Sequence, residues 1–368
     1  MNRAPIESDL LEPSARPGIL GDGAGLARAR RLPRPGHGLL VALLLLLALE
    51  SWLHCDRFLL QFRSVFAAGR AMDKLTYAEL HRPGLLILGN SRADNAFDPR
   101  TVVARFDPSM PRGGFNLGLP GADMQVISGV VERLDRAGDL GPDGVRMVVL
   151  SLDESVVQKV DTLGQEVFLV RPGQFWADGQ LHEALRSSFR LYGYADNFRQ
   201  LREPAVLQRF VRALREDVDP VGGAAAGHFG YRAGFGGLQD EDAAKQQEAG
   251  STRPPSDANL RALWRLLELL TARGVQVVVV YPPLLNRDLL YLTPERPEAA
   301  PFLSIVQELK RRGVPTIALD AGPTRDAREF VNAGHLNDRG AQRYSALLGQ
   351  ALRRVTGIDT GSDPAHAP

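Results

Sequence analysis

Between residues 84 and 320 the chain returns five times to a short aliphatic run closed by a turn of Gly, Asn, Asp or Pro. The runs are GLLILGN (84–90), GGFNLG (113–118), VRMVVLSLD (145–153), VQVVVVYPP (275–283) and VPTIALD (314–320). Their apolar residues follow one another with little alternation, the mark of strands buried on both faces of a parallel sheet. Helical spacing of apolar residues occupies about 121–138, 257–273, 296–312 and 338–355. One of these patterns, LRALWRLLELLTARG, ends on Gly274, a residue suited to a left-handed cap. The alternation predicts an α/β sandwich built on a five-stranded parallel sheet with right-handed crossovers.

Two segments depart from this pattern. GLLVALLLLLALESWLHC is uninterrupted apolar sequence from Gly38 to Leu49 and lacks the polar face of a helix packed on a soluble core. It approaches the roughly 20 residues of a membrane span only with Glu50, Ser51 and Trp52 at the interface. No small-residue cleavage site follows. The segment therefore predicts an uncleaved transmembrane signal anchor over 38–55, after a disordered basic tail over 1–37 and before a linker or helix over 56–83. The arginines of the tail place that end in the cytoplasm and everything beyond about residue 55 outside it, on the periplasmic side of the inner membrane. The second departure, 154–256, is an insert in the main domain of 84–355. It has an aromatic-rich helical part and then a Gly- and Ala-rich polar stretch that reads as a long loop or disordered insert; 356–368 reads as a tail.

Composition narrows the partners. With 44 Lys and Arg against 43 Asp and Glu, a net charge of +1 offers no electrostatic case for nucleic acid. The single cysteine, Cys55, excludes an internal disulfide and a cysteine metal cluster, and His228 has no second ligand at a recognised spacing. Neither a metal nor a cofactor is expected.

In an open α/β sheet, ligands gather at the carboxyl ends of the strands. Those ends carry Gly89-Asn90-Ser91-Arg92, NLGLPGAD (116–123), Asp153-Glu154-Ser155, Pro282-Pro283 and DAGPTRDAREFVNAGHLNDRGAQRYS (320–345). Only the last holds a histidine. His335 stands just before a helix opened by Asn337 or Asp338, so its ring can hang over the strand ends and reach the Ser91 hydroxyl. Asn95 and Asp98 read as turn and cap residues, and Asp123 as a first-turn residue that also faces the site. Tyr192, Tyr194 and Phe198 read as insert core or as a sugar-stacking platform.

These blocks, in this order over about residues 84–355, resemble the SGNH (GDSL-like) hydrolase superfamily. LGNSRA is similar to its first block, NLGLPGA to its second and NAGHLNDRGA to its last. The resemblance implies a flavodoxin-like three-layer sandwich in which Ser91 is the nucleophile and His335 the general base. It also implies that the Ser91 and Gly121 amides, with Asn116 in the same block, serve the oxyanion. A serine hydroxyl is a poor nucleophile until a base takes its proton, and each oxyanion donor lowers the barrier by roughly 3 kcal/mol.

Two positions depart from the family. Asn332 takes the place of the triad aspartate, and an amide-for-carboxylate exchange costs serine proteases about 10⁴ in rate; Asp320 and Asp326 are the nearest other carboxylates. Where the third block carries an asparagine, LSLDES offers Asp153 or Glu154, whose charge must be turned away, protonated or paired. Arg92 is the natural partner. It can neutralise Asp153, bind an anionic group of the substrate or stabilise the oxyanion, or form an ordinary surface salt bridge.

By resemblance, a membrane-anchored, outward-facing protein of this kind is an O-acyl esterase or O-acetyltransferase of exopolysaccharide or cell-wall glycan, in some cases beside a membrane-bound O-acyltransferase. The competing expectation is a catalytically inactive SGNH-fold protein that binds polysaccharide or scaffolds a glycan assembly system, because two catalytic positions are replaced.

Overall fold

The computed structural model describes residues 36–67, 70–216, 218, 228–242, 253–286, 288–319 and 325–358. The chain falls into two compact units, Met1–Leu46 and Leu47–Pro368. The described part of the first is the start of helix α1 (His37–Leu53), where Leu39, Leu40, Val41 and Leu43 to Leu46 are about half exposed. Within the expected span over 38–55, α1 is a continuous helix of 17 residues that ends where the chain turns at His54. Among the described residues no helix is long and apolar enough to cross a membrane. The basic tail lies outside the described residues except for its last two, as does the C-terminal tail beyond residue 358.

The second unit continues with α2 (Asp56–Gln61), α3 (Arg63–Phe66) and α4 (Ala71–His81). The stretch expected as a linker or helix is helical and part of the core, with Phe58, Phe62, Met72 and Leu75 buried. Five strands follow in register: β1 (Leu85–Gly89), β2 (Gly114–Gly118), β3 (Met147–Ser151), β4 (Gln276–Tyr281) and β5 (Thr316–Ala318). They pair in parallel in the order β2-β1-β3-β4-β5, an α/β architecture consistent with a flavodoxin-like sandwich.

Helices α5 (Ser91–Ala96), α6 (Pro99–Phe106) and α7 (Met124–Arg136) connect the first three strands. The insert folds into short helices: α8 (Glu154–Val157), α9 (Glu166–Leu169), α10 (Pro172–Ala177), α11 (Leu181–Ser188), α12 (Arg190–Gly193), α13 (Ala195–Gln200) and α14 (Pro204–Ala213). Helices α15 (Asp257–Ala272) and α16 (Ala300–Arg311) flank β4, and α17 (Asp338–Thr356) comes last. Successive strand residues point to opposite faces. Leu86, Leu88, Val148 and Leu150 join a core with α4, α7, α15 and α16, while Leu85, Ile87, Val149 and Val278 join another with α5, α6 and α17.

Two features escape the periodicity. A small antiparallel hairpin, β6 (Phe330–Asn332) and β7 (His335–Leu336), stands before α17. Residues 228–240, whose composition reads as a loose loop, are laced down by backbone bonds. Asn116 donates to Phe229 O (2.9 Å), Arg232 to Asp94 O (3.0 Å), Asp240 to Val331 O (2.8 Å) and Asp338 to Gly236 O (2.9 Å). Gly230, at φ +82°, lies so close that a Cβ would come within 2.0 Å of Asn116 O. Of the insert aromatics, Tyr194 is buried and lies 5.3 Å from Phe66, Phe198 is 5.1 Å from the same ring, and Tyr192 is exposed.

Candidate active site

The first strand must end on a residue without a side chain. A Cβ at Gly89 would approach Ala93 Cβ to 2.7 Å and Ser151 Cβ to 2.9 Å, so glycine lets α5 start at once above the sheet edge. Asn90 caps that helix by accepting the Arg92 N–H (2.9 Å), and its amide donates to Asp153 Oδ2 (3.1 Å) and Ser155 Oγ (2.8 Å). Ser91 is thereby fixed as the first residue of α5. Leu119 N–H donates to Gly89 O (2.9 Å), which runs the loop bearing Gly121 alongside the serine turn. Gly121 has φ +77°. Neither the Ser91 nor the Gly121 backbone N–H meets an acceptor among the described residues.

His335 arrives on the hairpin, with Asn332 opposite it in the β6–β7 register. Its Nε2 lies 2.9 Å from Ser91 Oγ and its Nδ1 3.0 Å from Asn332 Oδ1. The same Oδ1 accepts the Gly334 N–H at 3.0 Å. A backbone donor admits only the oxygen of the amide, so the oxygen faces the ring as well. Nδ1 then carries the hydrogen, and Nε2 presents its lone pair to the serine hydroxyl. The arrangement can take a proton from Ser91 as it attacks, and the group bonded to Nδ1 is a neutral amide in place of a carboxylate. Asp326 does not supply one: it caps Arg328 N–H (3.0 Å) and pairs with the Arg328 guanidinium (2.8 Å). Asp320 lies outside the described residues.

Of the two acidic residues in the third loop, Asp153 is wholly buried and caps α8, accepting the Ser155 N–H at 2.8 Å. Burial alone would raise its pKa. The Arg92 guanidinium, 3.0 Å away, and bonds from Ser155 and Asn90 outweigh that and hold it below the usual carboxylate range. Glu154 turns inward to accept the Leu290 N–H. Arg92 thus neutralises Asp153, with its side chain 11% exposed, which is not the geometry of a surface salt bridge.

Asn116 belongs beneath the site rather than in it. Its amide donates to Ala93 O (2.8 Å) and Phe97 O (2.7 Å), and its oxygen accepts the Gly118 N–H (2.8 Å), so every polar atom is spent binding α5 to β2. Asp98 caps α6 (3.1 Å to Arg100 N). Asp123 caps α7 (3.1 Å to Val126 N), and burial pushes its pKa up to about 6. It lines a polar cleft of about 170 Å³ behind the Gly121 loop, with Gln125, Gln180, Asn259, Glu166 and Arg186. Among the described residues no group of His, Cys, Asp and Glu is arranged to hold a metal ion, and His228 is exposed in a turn.

One part of the site carries no sequence signal. Lys74 of α4, fully buried, donates to Asp94 Oδ1 and to Gly118 O, both at 2.5 Å. Asp94 lies one turn along α5 from Ser91, and Arg70 stands 3.6 Å from the same oxygen. A lysine in MDKLTYAEL looks like one more solvated residue of an amphipathic helix. Nothing local announces a partner 20 residues away.

Lys74→Met should lower stability by roughly 3–5 kcal/mol by stranding the Asp94 carboxylate, and the double variant with Asp94→Asn should recover much of that loss; urea unfolding of both checks it. Asp123 has a folded pKa above its unfolded value, so its contribution is present below the unfolded pKa and lost as pH rises through about 6. Asp123→Asn keeps the cap without that titration. It should therefore gain stability relative to the parent as pH rises from about 4 to about 6 and hold that gain above, in parallel unfolding curves.

No protein-family model matches the chain, and no curated protein matches it.

Proposed function

We propose that this is a membrane-anchored, extracytoplasmic serine esterase or O-acyltransferase of the SGNH type, acting on exopolysaccharide or cell-wall glycan. The observation that carries the reading is the line Asn332–His335–Ser91 at the carboxyl edge of β1, beside two backbone N–H groups without acceptors. In the proposed reaction Ser91 Oγ attacks the acyl carbonyl carbon while its proton passes to His335 Nε2. The carbonyl oxygen gains charge between the Ser91 and Gly121 amides. His335 returns the proton to the departing alcohol oxygen as the ester bond breaks, leaving an acyl-serine. Water, or a sugar hydroxyl, then attacks that acyl group with its own proton taken by His335, which hands it to Ser91 Oγ as the acyl–serine bond breaks.

The cleft behind Gly121, which Ser91 and His335 do not line, supports a hydroxyl-rich group through Gln125, Gln180, Asn259 and Asp123, beside the apolar Val160 and Phe175. Helix α1, apolar on all sides and exposed, supports an anchor in lipid, and the arginines before it support an outward-facing domain. The second reading, a non-catalytic glycan binder, is favoured by one observation: the residue behind His335 is an amide.

A fluorophosphonate probe should label the parent at Ser91, fail with Ser91→Ala, and slow by at least about 10³ with His335→Ala. Asn332→Asp, which puts a charge behind the imidazole, should speed labelling at least about tenfold. Absence of Ser91-dependent labelling at every pH would remove the covalent mechanism and leave the binder. Separately, a phosphatase reporter fused after Leu60 should be active; a cytoplasmic reporter would overturn the glycan assignment.

A further inference from the structure

Helix α14 turns apolar residues outward. Leu207, Val211 and Leu214, four and then three residues apart, are 45%, 39% and 59% exposed, while Val206 and Ala213 are buried. The helix of a free-standing soluble domain turns such a stripe inward. Arg209, Arg212 and Arg215 interleave with it, and no acidic residue stands between Glu203 and Glu216.

The underside of α14 fixes its level in the molecule. Phe210 stacks on Phe62 at 4.6 Å, and Phe62 meets Trp52 at 5.8 Å. The Gln61 amide donates to Glu216 O at 2.9 Å. Trp52 lies in the last turn of α1, just past the apolar run that ends at Leu49, and is 45% exposed. Between α3 and α14 opens a cleft of about 200 Å³ lined by Gln61, Arg63, Ser64, Arg209, Arg212 and Glu216. Arg63 pairs with Asp73 at 3.3 Å, and neither Arg209 nor Arg212 has an ion-pair partner among the described residues.

An exposed apolar stripe with interleaved arginines suits the interface of an anionic bilayer, and a guanidinium cleft suits a phosphate oxygen. We infer that α14 docks on an anionic membrane surface, with a lipid phosphate in the arginine cleft, so that the domain lies against the bilayer instead of swinging on its tether. This rests on the membrane-anchored reading.

The test uses the full chain with Cys55→Ser and one new labelled cysteine, Val211→Cys, or Val355→Cys at an exposed site on α17 as control. Each is reconstituted in phosphatidylcholine discs with and without phosphatidylglycerol, with spin-labelled lipid as quencher. The probe at 211 should be quenched in phosphatidylglycerol discs and the probe at 355 should not. Changing Arg209 and Arg212 to Gln should weaken docking about fivefold per arginine. An unquenched probe at 211, or quenching indifferent to phosphatidylglycerol and to the arginines, overturns the docking surface. A chain that enters neither disc overturns the anchor instead, and the same probe on phosphatidylglycerol vesicles then decides the surface by itself.

Discussion

An ammonium group closed off from water has to be answered by the protein, and the answer given to Lys74 organises everything above it. Burial pushes its pKa down to about 8, yet the Asp94 carboxylate and the Gly118 carbonyl keep it bonded. Those two acceptors belong to the helix that begins with Ser91 and to the loop that leads to Gly121. One buried cation therefore sets the distance between a hydroxyl and the backbone donors it works with. Asn116 repeats the tie from below, and Gly230 packs against the Asn116 backbone where no other residue fits. Unpaired groups at such depth cost several kcal/mol, so these contacts exist together or not at all. Helix α4, which precedes the sheet, is as much a part of the site as the strands.

The upper half of the site depends on a different constraint, the orientation of one amide. An asparagine behind a histidine can offer oxygen or nitrogen, and only the oxygen leaves Nε2 as an acceptor. The Gly334 N–H decides between them by bonding to the oxygen. The loss known from serine proteases combines a missing charge with a wrong tautomer. Here the hairpin corrects the tautomer, with a neutral amide where the triad has its carboxylate.

The sheet was legible because fully buried parallel strands need aliphatic runs, and each of the five runs contains its strand with a few residues to spare at the ends. Ser91 and His335 were legible together because strand ends converge and only one of the loops there holds a histidine, and Asn332 only through the resemblance of NAGHLNDRGA to a family block. Asn116 misled because a strand residue next to a site faces either the cleft or the layer beneath, and its sequence position does not say which. The lacing of 228–240 was hidden for another reason. It is made by backbone groups, which every residue has, so a Gly-rich composition looks the same whether those groups bond to protein or to water. The Lys74–Asp94 pair joins two elements whose separation in sequence matches no helical or strand period.

The placement of charge in the site follows from these ties. A carboxylate on the oxyanion side would oppose a developing negative charge, but Asp153 cannot act as a bare anion while Arg92 and three hydrogen bonds hold it. Arg92 adjoins the serine in sequence and places its positive end on Asp153, 3.0 Å away. On the opposite side, His335 Nδ1 faces the neutral Asn332 amide. In the usual triad the imidazolium is stabilised by a carboxylate and the oxyanion by neutral donors. On its oxyanion side the proposed reaction draws on two amides and the outer field of the Arg92–Asp153 pair rather than on a net charge. Such a site depends more on the exclusion of water than a charged triad does, because dipoles and a compensated ion pair act strongly only where the surroundings are of low polarity. The segment 228–240 contributes backbone bonds to Asn116 and Asp94 beneath the serine turn, where Ser91 is half-buried.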